Sequence, residues 1–107
     1  MLFRSSTMRN PFIEVMDEIH RVLLPGGYFF HCTPAYPSPV AFQDPTHVNI
    51  ITEDTMPMYF CGDSYKPWLG SDKPIASIYG FKGSFELVDQ AWWWNHVNIL
   101  SLMRKPL

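Results

Sequence analysis

The sequence predicts one α/β domain, in which a helix leads into a buried strand and an antiparallel hairpin closes the chain. Three observations predict this class. An amphipathic segment stops at Pro25-Gly26-Gly27 and passes into the apolar run 28–33. Segments 85–92 and 97–104 both read as strands, and the very short polar connection between them is typical of a hairpin. With 107 residues, 47% of them hydrophobic, the chain has room for one core.

The helix is predicted to begin at Pro11 and to end before Pro25. Asn10 can accept hydrogen bonds from the free amides of the first turn, and proline suits the first helical position. Pro25 disfavours helical geometry at Leu24, and Gly26 or Gly27 can take the left-handed turn that ends a helix. The three- and four-residue spacing of apolar side chains predicts one buried stripe. That stripe comprises Phe12, Val15, Met16, Ile19, Val22 and Leu23.

The run 28–33 is short and mostly apolar, without polar alternation. This pattern predicts a strand that is covered on both faces, as in a parallel sheet. His31, within the strand, is interpreted as a core histidine with satisfied hydrogen bonds. The cysteines, Cys32 and Cys61, lie in dissimilar contexts, and the N-terminus lacks the apolar core of a signal peptide. We therefore expect two reduced, buried thiols in a cytoplasmic protein.

The loop that follows this strand is predicted to be stiff, because Pro34, Pro37 and Pro39 exclude a longer strand or helix. A short helix is predicted after Thr52, which can cap it. Its buried face is expected to comprise Met56, Tyr59 and Phe60, with Gly62 as its end. Segment 75–79 reads equally well as a short strand or as an extended link.

The two hairpin strands differ in polarity. The second is apolar on both faces and is therefore expected at the centre of the sheet, whereas Glu86 and Asp89 in the first suit an edge. Asn95-His96 is the predicted turn. The tryptophans at 92–94 either cover helix and sheet alternately or, together with Trp68, form a stacking platform, for example for a carbohydrate.

The run Glu18-Ile19-His20-Arg21-Val22-Leu23-Leu24-Pro25-Gly26-Gly27 is similar to the helix end that precedes the fifth strand in class I S-adenosylmethionine-dependent methyltransferases of the type 11 kind. Phe42-Gln43-Asp44-Pro45-Thr46-His47, followed by a short helix, resembles a loop found in a subgroup of that family. The hairpin resembles its sixth and seventh strands. The resemblance covers about residues 9–106. It implies a partial Rossmann-like fold with strand order 5-7-6, in which residues 9–107 are the C-terminal part of the domain. Residues 1–8, which precede the region of resemblance, are expected to be a disordered leader.

The resemblance also implies which half of the enzyme is represented. The family binds its cofactor with a glycine-rich turn and an acidic residue in the first half of the fold, and this chain has no such glycine turn. No cofactor-binding residue is therefore assigned, and tight binding of S-adenosylmethionine is not expected. The loop would line the substrate side, facing a small-molecule methyl acceptor. His47 is the candidate acid or base, with Tyr36, Phe42, Asp44 and Thr46 beside it. Alternatively, these residues form a structural turn and ordinary loop packing.

The absence of a fourth strand predicts an exposed apolar edge at 28–33, hence self-association, for instance as a homodimer. The alternative function is accordingly a non-catalytic α/β interaction module that self-associates through this edge. A net charge of −2 indicates no affinity for nucleic acid, and the apolar runs are too short to cross a membrane. The spacing of His31, Cys32, His47 and Cys61 matches no metal-ligand pattern, so no metal site is predicted.

Overall fold

A computed structural model describes residues 10–46, 49–62 and 73–107. This part of the chain contains two helices and three strands, which are α1 (Pro11–Val22), β1 (Tyr28–Pro34), α2 (Thr55–Phe60), β2 (Glu86–Trp93) and β3 (Asn98–Arg104). Short 3-10 turns occupy Pro39–Ala41 and Ile75–Tyr79. No helix among these residues is both long and apolar enough to cross a membrane. The prediction for residues 1–8 lies outside the described residues.

The sheet is antiparallel, and its strands lie in the order β1-β3-β2. The predicted hairpin and the central place of its second strand are confirmed. A bulge between Leu87 and Asp89 interrupts the regular register of β2. The turn between β2 and β3 contains three consecutive residues with positive φ, at Trp94, Asn95 and His96. The molecule is thus a small α/β domain with a three-stranded sheet.

Helix α1 begins as the sequence predicts, because Asn10 Oδ1 accepts a hydrogen bond of 2.8 Å from the Phe12 amide. The predicted stripe is correct for its centre, where Met16 is buried, and wrong for Val15 and Val22, which are exposed. Ile13 is buried instead. Residues are 100° apart around a helix, so the buried stripe is rotated from the predicted one. The physical reason is that the segment before β2 packs on this side of α1, where the Lys82 amide donates to Asp17 Oδ1 and the Phe81 ring lies edge to face with His20. Ile13 shares the core cluster with Phe81.

The sheet is covered on one face. Phe29 packs against the core below α1, whereas Tyr28, Phe30 and Cys32, on the opposite face, are exposed. The prediction of a strand covered on both faces is therefore wrong for the described residues, as is the prediction that Cys32 is buried. Cys61 is buried as expected. We call the uncovered side the open face of the sheet.

The core lies between the covered face, α1 and α2. Its main cluster is formed by Ile13, Met16, Met56, Phe60, Cys61, Ala76, Phe81, Phe85 and Met103. A smaller cluster of Ala35, Ile51 and Ile99 lies nearer the carboxyl end of β1. Between the two clusters, a polar row crosses the three strands from His31 through Ser101 to Gln90. The Ser101 hydroxyl, which is fully buried, donates to Gln90 Oε1 at 2.7 Å.

Three local predictions in the middle of the chain need correction. Tyr59 is exposed, so the buried face of α2 consists of Met56 and Phe60 together with Pro57. Segment 75–79 is neither strand nor extended link but a 3-10 turn. It ends at Gly80, whose φ of +99° suits a residue without a side chain. The predicted capping by Thr52 is also wrong, because the N-cap residue of α2 is Asp54 and makes no side-chain capping hydrogen bond, while Thr52 Oγ1 accepts from the Asp54 amide in the turn before the helix.

Candidate functional site

The loop at the carboxyl end of β1 is held at its base by two backbone hydrogen bonds. The Ala35 amide donates to the carbonyl of Val97 in the hairpin turn at 3.0 Å, and the Tyr36 amide donates to the carbonyl of Ile51 at 2.8 Å. Ala35 and Ile51 both belong to the smaller core cluster. The loop is therefore fixed to the core at its base, while its outer part extends toward solvent.

The next part of the loop folds locally. The Ser38 side chain accepts a hydrogen bond of 3.2 Å from the Val40 amide, and Pro39 takes the first position of the 3-10 turn. Serine before proline is a favourable way to begin such a turn, since the proline has no amide to satisfy. Ser38 and Ala41 are buried and attach the turn to the molecule. The segment after β1 is thus a loop with one 3-10 turn, as the prolines predict, and its stiffness stays a prediction.

The two candidate aromatic residues lie together at the surface of the loop. The rings of Tyr36 and Phe42 meet edge to face, with centroids 6.0 Å apart, and the two residues are 55% and 51% exposed. An edge-to-face pair is a favourable aromatic geometry. The contact fits both interpretations offered by the sequence, because the rings pack on each other and leave half of each residue available as an apolar wall.

Asp44 and Thr46 form a compact turn beside this pair. Asp44 Oδ1 accepts two hydrogen bonds from Thr46, one from its amide at 2.9 Å and one from its hydroxyl at 2.7 Å. This is the behaviour expected of aspartate in a structural turn. His47, the candidate acid or base, lies outside the described residues, so its role stays a prediction. The loop thus combines an exposed aromatic pair with an adjacent carboxylate.

Of the four histidines and cysteines weighed as metal ligands, His47 lies outside the described residues, and His31, Cys32 and Cys61 are not brought together. Cys32 is exposed on the open face, while Cys61 is buried with its sulfur 3.6 Å from the Met103 sulfur. In the part of the chain that the structure describes, no three histidine, cysteine or acidic side chains form a group that could hold a metal ion. His31 lies on the covered face, and its Nδ1 is buried without a hydrogen-bond partner there. The expectation of a fully satisfied core histidine is therefore wrong.

The tryptophans of the hairpin do not form one platform. Trp92 is half-buried against the smaller core cluster and stacks on His96, with ring centroids 5.5 Å apart. Trp93 and Trp94 are exposed. The interpretation in which alternate tryptophans cover the core is favoured for Trp92. Trp68, considered together with them in a stacking role, lies outside the described residues.

A second concave region, which the sequence interpretation missed, lies at the opposite end of the sheet. It is an open cleft of about 630 Å³. Its described lining comprises His20, Lys73, Pro74, Ser77, Phe81, Lys82, Gly83, Ser84, Lys105 and Pro106. Gly83 lies so close to the imidazole that an added Cβ would come within 2.5 Å of His20 Cγ. The cleft therefore depends on a glycine at this position.

His20 is held in this cleft by contacts that are remote in sequence. Its Nε2 lies 3.2 Å from the Ser84 carbonyl, which can only accept, so Nε2 carries the proton of the neutral ring. The pKa of His20 lies below its ordinary value, mainly because the ring is partly buried and to a smaller extent because Lys105 is positively charged. The Lys105 ammonium donates to the carbonyls of His20 and Leu23 at 2.8 and 2.9 Å. The sequence contained one sign that His20 would be partly buried, which is that it lies four residues after Met16 and therefore beside the predicted apolar stripe.

Comparisons with known proteins found no relative of this chain. No protein-family model, no curated protein and no solved structure matches the chain.

Proposed function

We propose that the chain is the C-terminal, substrate-side part of an S-adenosylmethionine-dependent methyltransferase. The observation that carries the proposal is the strand order. The last strand, β3, lies antiparallel between β1 and β2, which is the 5-7-6 arrangement that the resemblance implies. The proposal therefore includes an open Rossmann-like sheet, which is a more specific fold assignment than the small α/β domain described above.

The uncovered surfaces support the same proposal. Among the described residues, β1 pairs with β3 alone, and the open face carries the exposed aromatic side chains of Tyr28 and Phe30. In the fold that the resemblance implies, a parallel fourth strand lies along this edge of β1, and helices cover both faces of the sheet. A preceding half of the enzyme would cover the surfaces that are uncovered here.

The proposed substrate side is the loop after β1, because ligands of open α/β sheets bind beyond the carboxyl ends of the strands. The exposed ring pair of Tyr36 and Phe42 is suited to form one wall of a site for a small-molecule acceptor. Methyl transfer is an in-line displacement from a sulfonium, so the protein has mainly to position the acceptor and to remove a proton from it. In the proposal His47 takes this proton. The cofactor site lies in the other half of the enzyme, and the location is cytoplasmic.

The first test of this proposal is calorimetric titration with S-adenosylhomocysteine. We expect no saturable binding to the 107-residue chain. We expect saturable binding and methyl transfer when the reading frame is extended upstream to include a glycine-rich strand-turn-helix. An extended product that lacks this element, or that has it and neither binds the cofactor nor transfers methyl groups, contradicts the proposal.

A second test addresses the loop. In the active extended protein, Phe42→Ala should raise KM for the acceptor about tenfold, the effect of losing roughly 1.4 kcal/mol of apolar contact. The affinity for S-adenosylhomocysteine should not change. Tyr79→Ala is the matched control, since Tyr79 is also an exposed aromatic residue but lies outside the loop. An equal loss in both variants would remove the argument for a substrate wall.

A further inference from the structure

The cleft around His20 is lined by three of the four lysines of the chain, which are Lys73, Lys82 and Lys105. The fourth, Lys66, lies outside the described residues. No aspartate or glutamate is among the described residues of the lining, although the chain as a whole has a formal net charge of −2. Cations that line a concave surface raise the local concentration of anions, so the cleft is suited to a negatively charged ligand.

The cleft is built by segments that the fold fixes in place. Lys82 follows the 3-10 turn of Ile75–Tyr79. Ala76 in this turn is fully buried, and its carbonyl accepts a hydrogen bond of 3.1 Å from the Phe81 amide. Lys105 is held by the two hydrogen bonds that it donates to carbonyls at the end of α1. The cations are therefore carried on positioned backbone, which reduces the entropy lost when a ligand binds.

Two of these cations are not neutralised by a carboxylate of the described residues. The Lys82 amide donates to Asp17 Oδ1 at 2.8 Å, but the Lys82 ammonium makes no ion pair or hydrogen bond with a described residue. In the same part of the chain, the Lys105 ammonium bonds only to uncharged carbonyls. An ammonium has three N–H donors, so Lys105 retains one donor for a further partner. The cleft thus offers two positive charges to a ligand.

Carboxylates on α1 limit where an anion can lie. A neighbouring hollow of about 590 Å³ shares Lys82 with the cleft. Its lining adds one cation, Arg21, which already pairs with a glutamate, and three carboxylates, those of Glu14, Asp17 and Glu18. Because these carboxylates repel an anion, the favourable side of the cleft is the one that carries Lys105, away from the acidic face of α1.

The volume and lining of the cleft indicate a ligand larger than a simple ion. Its volume of about 630 Å³ lies in the range of sites for small organic molecules. Two positive charges match a phosphate monoester, which carries about −1.5 to −2 charges at pH 7, better than a carboxylate or a sulfate ester with a single charge. Ser77 and Ser84 add hydroxyl groups, which can donate to phosphoryl oxygens. Phe81 and Pro106 supply apolar surface for the organic part.

We propose that this cleft binds a phosphate monoester of a small organic molecule. The phosphoryl group lies beside the ammonium groups of Lys82 and Lys105, and the organic part lies over Phe81 and Pro106. Lysine binds phosphate as a point charge, so recognition depends chiefly on the charge of the phosphoryl group. The site stands apart from methyl transfer, because it lies at the opposite end of the sheet from the loop after β1.

The test is calorimetric titration of the 107-residue chain with phenyl phosphate at constant ionic strength. We expect saturable binding, and weaker binding of phenyl sulfate, which carries one charge. Lys82→Gln should raise Kd for phenyl phosphate at least about fivefold, the effect of one unit charge about 4 Å away in water. Lys82 is exposed and its backbone bond to Asp17 remains, so this variant should fold, and circular dichroism checks that it does.

Arg21→Gln is the matched control. It removes the same charge one residue from His20, but Arg21 does not line the cleft and pairs with Glu18. Kd for phenyl phosphate should change by less than about twofold, since salt screens exposed charges that do not contact the ligand. An equal loss of affinity in the two variants would show a response to net charge alone and would overturn the proposal.

Nuclear magnetic resonance titration of His20 locates the bound anion. Asp17 on α1 and Lys105 after β3 act on the charge of this ring. Lys73 and Lys82 line the same cleft. A bound phosphoryl group adds negative charge, so phenyl phosphate should raise the pKa of His20, and phenol should leave it unchanged. The resonances of the hairpin turn, at the other end of the sheet, should not shift.

Inorganic phosphate tests the organic part of the ligand. We expect it to bind more weakly than phenyl phosphate, because it leaves the apolar part of the cleft uncovered. Equal affinities for the two would contradict an ester as the ligand. Absence of saturable binding overturns the proposal, as does binding that leaves the pKa of His20 unchanged. Failure of the cofactor titration leaves these outcomes unaffected, because S-adenosylhomocysteine carries no phosphate group.

Discussion

At the scale of single residues, the half-buried His31 places a titratable side chain within the sheet. It lies on the covered face, opposite the fully buried Ser101, and its Nδ1 is buried with no partner among the described residues. Burial holds the pKa of His31 below its ordinary value. A buried, unpartnered nitrogen favours the neutral ring, because a charged ring would lose its hydration without compensation.

Protonation of His31 should therefore destabilise the fold. The unfolded chain titrates this histidine near pH 6.5, and the folded chain does so at a lower pH. Between these values the unfolded state binds more protons, so the free energy of unfolding falls as the pH is lowered through this window. His20, whose pKa is also lowered, contributes in the same direction.

Denaturant unfolding at pH 7 and pH 5 measures this loss of stability. His31→Gln should reduce the difference in stability between the two pH values, because it removes one group that takes up a proton on unfolding. The His31→Gln, His20→Gln double variant should reduce it further. A pH dependence that is unchanged in His31→Gln would show that His31 does not titrate as its burial implies.

The hairpin turn offers a second prediction at this scale. Trp94 has a φ of +58° and is exposed. A bulky residue is strained in this left-handed conformation, at a cost of roughly 1–2 kcal/mol, whereas glycine adopts it freely. Trp94→Gly should therefore raise the free energy of unfolding by about 0.5–1 kcal/mol, after allowance for the greater flexibility of the unfolded chain.

The control for this substitution is the neighbouring tryptophan. Trp93 ends β2 and does not have a positive φ, so Trp93→Gly should lower the free energy of unfolding, as glycine does within a strand. Thermal and denaturant unfolding of the two variants compare them directly. A destabilised Trp94→Gly protein would indicate that its exposed ring contributes more than its backbone strain costs.

At the scale of elements, α1 depends on a residue from the far end of the chain. The Lys105 ammonium donates to the carbonyls of His20 and Leu23, at the C-terminal end of α1 where carbonyls have no partner within the helix. A cation at this end also interacts favourably with the helix dipole. Gly26, with a φ of +84°, turns the chain toward β1 and donates its amide to the Lys105 carbonyl. Helix end, turn and C-terminal segment form one unit.

Lys105→Met should therefore lower the free energy of unfolding by about 1–2 kcal/mol, the value of charge-assisted hydrogen bonds at a partly buried helix end. Lys82→Met is the matched control, since Lys82 contributes its backbone amide to Asp17 and keeps it in the variant. The control should change stability by less than about 0.5 kcal/mol. Nuclear magnetic resonance titration supplies an independent readout, because removal of the Lys105 charge should raise the pKa of His20. An unchanged His20 titration would contradict the contact.

At the scale of the whole molecule, the two faces of the sheet differ in how far they are buried. The covered face meets α1 and α2 through two apolar clusters separated by the row from His31 to Gln90. The open face carries Tyr28, Phe30 and Trp93 at the surface. An apolar surface of this kind on a small domain is typical of an interface. The proposed function addresses this imbalance with a preceding half of an enzyme.

Much of this architecture was predictable because it depends on signals between near neighbours. Asn10 and Pro11 determine where α1 begins, and the glycines after Pro25 determine where it turns. The polarity of the two hairpin strands determined which lies at the centre, since Glu86 and Asp89 suit an edge. The candidate loop was located for the same reason. Its internal contacts, such as that of Asp44 with Thr46, join residues two positions apart.

The sequence by itself therefore determined the order of the elements, the ends of α1, the hairpin and the place of the loop after β1. Only the tertiary structure decided which surfaces are covered. It turned the flank of Ile13, rather than that of Val15, toward the core, and it left Phe30 exposed. It also joined His20 to Ser84 and Lys105, which are 64 and 85 residues away. Burial depends on which remote segments pack against a residue, and the pattern of its near neighbours does not contain that information.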